Sequence, residues 1–158
     1  EQPAQLFWNA DNDAKRTFVE VAGDSAGDLL DPIVGRGAAA AAIDGDGDLD
    51  VLLTQSGGKP ELLRNDQALG HHWLRVRLAA RGPNRAALGA RVELHAGGTK
   101  QCQELMPFRS YLSQCEPTLT FGLGRAALAE KLVIHWPDGA TQDLAELAAD
   151  RLHLIEQP

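Results

Sequence analysis

Between positions 44 and 50 the chain reads Asp44-Gly45-Asp46-Gly47-Asp48-Leu49-Asp50 and runs straight into Val51-Leu52-Leu53. Four carboxylates at every second residue repel one another in a folded protein unless a cation sits among their oxygens. The intervening glycines let the backbone turn sharply, and the apolar run that follows has the character of a strand. The segment is therefore a loop feeding a sheet, and bound calcium is the first expectation.

Calcium takes about six to eight hard oxygen ligands and tolerates irregular loops. In a loop of pattern D-x-D-x-D-G-x-x-D, side chains at positions 1, 3, 5 and 9 and the carbonyl at 7 coordinate. With Gly47 at the glycine position, Asp44 falls third, Asp46 fifth, the Asp48 carbonyl seventh and Asp50 ninth. The first position is Ala42, which cannot coordinate, so the set Asp44, Asp46, Asp48 and Asp50 is short of one carboxylate. No glutamate stands at the twelfth position, so the loop is not an EF-hand. Magnesium, sodium or potassium, and a solvated acidic turn without any ion, are the alternative readings.

The rest of the chain reads as short strands separated by turn residues. Leu6-Phe7-Trp8-Asn9 and Thr17-Phe18-Val19-Glu20-Val21 form a hairpin across a polar loop, and the stretch from Ala22 to Val34 is irregular. Ala38 to Ala42 has helical propensity, but the run is bounded by glycines and too short for an isolated helix, so a strand is expected there. Asp50 to Gln55 and Glu61 to Asn65 follow as two more strands. Leu6-Phe7-Trp8-Asn9 is echoed at Leu62-Leu63-Arg64-Asn65, a period of about 55 residues that points to propeller blades, with too few units for a closed propeller.

After Gly70 the patterning changes. Trp73 to Leu78 alternates apolar and basic, which puts Arg75 and Arg77 on a solvent face, and Gly89 to His95 alternates again. Lys100–Leu105, Thr118–Gly124 and Arg151–Glu156 are further strands, and Leu132–Trp136 pairs with Thr141–Leu144 over Pro137-Asp138-Gly139. Short helical turns are expected at 126–130 and 144–149. Six or seven strands at this spacing make an antiparallel sandwich. The charge divides at the same place: residues 1–70 carry 13 acidic and 5 basic side chains, residues 71–158 carry 9 and 10. Two units are expected, 1–70 and 71–158, and the whole is all-β.

A pI near 5.1 without a basic stripe argues against nucleic acid, and no apolar run reaches the length of about 20 residues that spans a bilayer. The start at Glu1 reads either as a mature end after cleavage or as the start of a fragment. Cys102 and Cys115 lack metal-ligand spacing; if the strands flanking the turn at 106–110 pair, a disulfide fits, which favours an oxidising compartment. Two buried free thiols are the other reading.

Catalysis finds little support. Four carboxylates on one tight loop point at a common centre, whereas glycoside hydrolysis needs a pair across a cleft. His71-His72 has no third metal ligand in spacing, and Ser110, Tyr111 and Ser113 lack a nucleophile motif. Arg75, Arg77 and Arg91 read as an anion-binding set or, more plainly, as a solvated sheet face, and Trp73 and Trp136 as core rather than sugar platforms.

Gly35-Arg36-Gly37 running into DGDGDLDVLL and on to Pro60-Glu61-Leu62-Leu63-Arg64-Asn65 resembles an FG-GAP/VCBS repeat. From His72 to about Ile155 the motifs HWLRVRL, LGARVELHAGG, SYLSQCEPTLTFGLG and LVIHWPDG resemble the ASPIC/UnbV domain that follows such repeats. The resemblance implies a partial FG-GAP propeller-type blade followed by a transthyretin-like antiparallel β-sandwich. It also implies a secreted or cell-surface interaction or structural protein, not an enzyme. Protein partners or copies of the chain, joined through unpaired strand edges into a filament, are the first expectation. A glycan ligand, for a carbohydrate-binding or accessory domain, is the competing one.

Overall fold

The computed structural model describes residues 1–12, 15–21, 23, 26–66 and 69–158. Alternation of apolar and polar side chains makes strands wherever one face can be buried, and the chain does this repeatedly. The fold is all-β, with 3₁₀ geometry at Gly23 and at Gly27–Leu30 and no α-helix among the described residues. No helix among them is long and apolar enough to cross a membrane.

β1 (Leu6–Asn12) and β2 (Lys15–Val21) form a two-stranded antiparallel ribbon, with Leu6 opposite Val21 and Trp8 opposite Val19. Both strands run further into the connection than their apolar cores suggest; the turn itself, and much of the irregular stretch after Val21, lie outside the described residues. β3 (Gly35–Ala41), β4 (Asp50–Gln55) and β5 (Glu61–Leu63) make a three-stranded antiparallel sheet. The alanine run is a strand, as its length and glycine boundaries require, because cross-strand pairing with β4 outweighs its helical propensity. Leu53 and Ile33 are buried together on one side, and Leu52 and Leu62 face outward on the other.

The second half stacks two sheets. One has the order β11-β6-β14, built from β6 (His72–Ala79), β11 (Leu119–Gly124) and β14 (Arg151–Glu156). The other has the order β13-β12-β7-β8, built from β7 (Arg91–Ala96), β8 (Thr99–Glu104), β12 (Leu128–His135) and β13 (Thr141–Ala148). Between them Leu74, Val92, Leu94, Phe121, Leu132 and Ile134 are fully buried. A short hairpin, β9 (Phe108–Ser110) with β10 (Ser113–Gln114), leaves the sandwich toward β3.

Three expectations fail here. β14 pairs parallel to β6, Arg151 opposite Leu74, so the sandwich is not wholly antiparallel. Some seventy residues separate the two strands, ample for the crossover a parallel pair needs. The helical turns at 126–130 and 144–149 are absent: Leu128 pairs with Ala148 and Ala129 with Leu147, since pairing and core burial override alanine's propensity. Finally, residues 108–110 are strand, and the turn sits at Tyr111-Leu112, with Leu112 in the left-handed region at φ 48°.

Candidate functional site

The acidic loop joins β3 to β4, and its glycines take the positive φ that the tight turns require, 79° at Gly45 and 101° at Gly47. Asp44 and Asp46 brace the turn themselves: the Asp46 amide donates to Asp44 Oδ1 at 3.3 Å, and the Asp48 amide donates to Asp46 Oδ1 at 3.0 Å. Asp44 and Asp46 are exposed and Asp48 is half-buried.

Asp50 does something else. It is only 1% exposed, and each carboxylate oxygen accepts a backbone amide: Ile43 N–H at 2.8 Å and Asn65 N–H at 3.0 Å. These two bonds, the Ile43 bond foremost, hold its carboxyl below the usual aspartate range against the opposing effect of burial. Asp50 thus ties the loop's entry to the chain leaving β5. The four aspartates divide into three on the loop and one clamp beneath it. As they stand, no three acidic or histidine side chains among the described residues gather around a point where a metal could sit.

The loop rests on the sandwich. A side chain at Gly47 would come within 2.2 Å of the Trp73 indole, so the loop backbone lies directly against that ring. Nearby, Glu116 accepts from Arg75 Nη2 and, at 3.1 Å, from the Ala42 amide. Arg75 is only 7% exposed, contrary to its expected place on a solvent face. Alternation does put it on the outer face of β6, but Glu116 and the end of β3 cover that face. Arg77 is exposed as expected, whereas Arg91 pairs with Glu93 at 2.6 Å on the other sheet, so the three arginines form no common cationic surface.

The thiols do not bridge in this structure. The disulfide required the strands flanking residues 106–110 to pair, but β8 pairs with β7 and β10 pairs with β9. Cys102 is exposed on β8; Cys115 Sγ accepts the Ala40 amide at 3.3 Å. Together Cys115 and Glu116 occupy the amides of Ala40 and Ala42, donors outside the β3–β4 ladder, and so cover the free edge of β3. His72 does not join a metal cluster; its Nδ1 lies 2.7 Å from Asp150 Oδ2, and that bond is the main reason the Asp150 carboxyl sits below its usual range.

The ASPIC and UnbV family model matches residues 80–158, half of the chain, and covers most of the sandwich strands. The chain belongs to the ASPIC and UnbV family. It is 36% identical to cartilage acidic protein 1 of Mus musculus over 118 residues, 72% of this chain and 18% of that protein. The Homo sapiens and Xenopus tropicalis proteins of the same name are each 35% identical over 118 residues. The chain therefore spans about a fifth of the length of these relatives. An alignment longer than the 79 family residues reaches into the first half, where the acidic loop lies.

Proposed function

We propose that this ASPIC and UnbV chain is a secreted, non-catalytic interaction module whose acidic-loop sheet, residues 1–70, is stiffened by calcium against the sandwich of residues 71–158. The observation that carries the interaction reading is the β1–β2 ribbon. Trp8 is 64% and Phe18 67% exposed, with Leu6, Phe7 and Val19 also open, and none of the ribbon's described side chains joins the buried core. A two-stranded ribbon is marginal alone, and an apolar patch of this kind is a surface waiting for cover.

Strand edges narrow the route of self-association. Cys115 and Glu116 cover β3, so within residues 1–70 it is β5 and the ribbon that present edges through which copies would add strands to one another. The donor chemistry suits calcium: exposed carboxylates of Asp44 and Asp46, the Asp48 carbonyl, and two glycines that let the loop close. Bound there, the ion would neutralise the loop's self-repulsion while Asp50 fixes its two ends.

Two measurements test this reading. With calcium at about ten times its dissociation constant, linkage adds about 1.4 kcal/mol, a rise of about 4 °C in Tm for a chain of this size. The rise should vanish in Asp46→Ala; an equal midpoint in calcium and chelator removes the ion from the function. Size-exclusion chromatography and electron microscopy, with and without chelator, should show assemblies larger than one chain. A monodisperse monomer under both conditions would sink the self-association.

A further inference from the structure

Beside the loop lies a cavity of about 410 Å³, between Asp48 and Leu49 on one side and Trp73, His72, Thr120 and Gly122 on the other. Its origin is readable in β11. Gly122 pairs with Trp73 across the ladder, and both stand on the outer face of that sheet. An aromatic ring opposite glycine usually folds over it, but here the Trp73 indole leans onto Gly47 instead. A side chain added at Gly122 would meet nothing within 4 Å, so the hollow is the space the indole has left.

The walls carry polar groups without protein partners. Thr120 Oγ1 is screened from solvent and makes no hydrogen bond. An atom that water cannot touch is equally closed to a ligand, so this hydroxyl stands behind the wall and is no part of the cavity's contact set. The Trp73 indole N–H has no hydrogen-bond partner among the described residues, the Trp73 bond to Asp150 being made by the backbone amide. His72 is oriented by Asp150 through Nδ1, which leaves Nε2 free. The Asp48 carboxylate, whose backbone amide alone braces the turn, is also unclaimed.

The cavity thus offers the indole N–H as a donor and acceptors at Asp48 and His72, around an indole edge. A ligand matching it must carry several hydroxyls, each able to donate and accept, on a compact frame with apolar C–H faces. We infer that this cavity is a binding site for a neutral sugar ring, with Asp48 and His72 accepting from its hydroxyls and Trp73 donating to them. The volume lies within the range of small-ligand sites.

Because Gly122 is outside the positive-φ region and has open space at Cβ, Gly122→Leu fills the cavity without straining the fold. The full chain is titrated in chelator with methyl glycosides of a hexose, a 6-deoxyhexose and an N-acetylhexosamine, read by tryptophan fluorescence and saturation-transfer NMR. At least one should bind. Asp48→Asn should weaken that glycoside about tenfold, the effect of losing a hydrogen bond to a charged acceptor. Gly122→Leu should abolish binding while the Tm stays at the wild-type value. Spermidine serves as the cationic control. Failure of all three glycosides at tens of millimolar overturns the site, as does binding that survives Gly122→Leu, or spermidine binding in their place.

Discussion

Asp50→Ala is expected to destabilise the protein by about 3 kcal/mol, in chelator as much as in calcium. Hydrogen bonds to a charged group contribute about 1.5–3 kcal/mol each, and the substitution removes two, leaving the Ile43 and Asn65 amides without their acceptor. Asp50→Asn should lie between, because its amide can accept one of the two protons and meets the other with a donor. Urea unfolding with calcium withheld is the decisive measurement. A loss below about 1 kcal/mol there, or one that appears only with calcium, would make Asp50 an ion ligand and not a clamp. The same carboxylate sets an acid limit. Its folded pKa is lowered, so its contribution is fully present above the ordinary aspartate value of about 3.9. It is lost as pH falls below that value through the folded pKa. Asp150, lowered by His72, loses its contribution in the same direction and the same acid window. Wild-type stability should therefore decline below about pH 4, and Asp50→Ala should decline less steeply.

Spacing alone makes the four aspartates look equivalent. Alternation in Asp44-Gly45-Asp46-Gly47-Asp48-Leu49-Asp50 says that a tight, charged turn precedes a strand, and it does. It cannot say that Asp50, the first residue of β4, points inward, because that depends on where Asn65 returns after β5. Arg75 shows the same limit from the other side. Period two correctly puts Arg75 and Arg77 on one face of β6, yet only one of them is covered, and its cover, Glu116, lies 41 residues away. Strand type is legible where one face is buried, as in Trp73–Leu78 or Leu132–Trp136. Partner choice and direction are not: nothing within Arg151–Glu156 itself specifies the parallel pairing of β14 to β6. The alanine-rich segments are instructive as a pair. Bounding glycines made Ala38–Ala42 a strand, whereas 126–130 and 144–149 lack such boundaries, and propensity misleads there because the pairing that decides is tertiary.

The junction between the halves also changes what the acidic loop is for. A strand edge at β3 would invite another chain, but the segment carrying Cys115 and Glu116 places a thiol and a carboxylate on its unused amides. One side chain, Glu116, then joins three elements at once: the end of β3, the outer face of β6 and the exit from β10. Loop, edge and sandwich are therefore one mechanical unit, while the apolar side chains of the ribbon stay uncovered.

Gly47 is where that unit is most sensitive, and Gly47→Ala is expected to cost about 4 kcal/mol. Two penalties add. A non-glycine residue at φ 101° is strained by about 1–2 kcal/mol, and overpacking a filled contact costs about 1–3 kcal/mol. The new methyl would lie 2.2 Å from Trp73 Nε1 and Cε2, so either the ring or the loop must move. Gly45→Ala separates the two terms. Its φ is 79° but its Cβ would meet nothing within 4 Å, so it should lose only the backbone share, about 1–2 kcal/mol. The difference between the two variants measures the loop's seat on the sandwich. Trp73→Leu combined with Gly47→Ala should recover part of the loss, because the side chain that blocked the methyl has gone, and a double-mutant cycle gives the coupling. Displacement of the loop should also shift the Trp73 fluorescence to longer wavelength as water reaches the indole. Equal losses at positions 45 and 47, with no coupling to Trp73, would mean that the loop does not bear on the sandwich and that its order depends on the sheet alone.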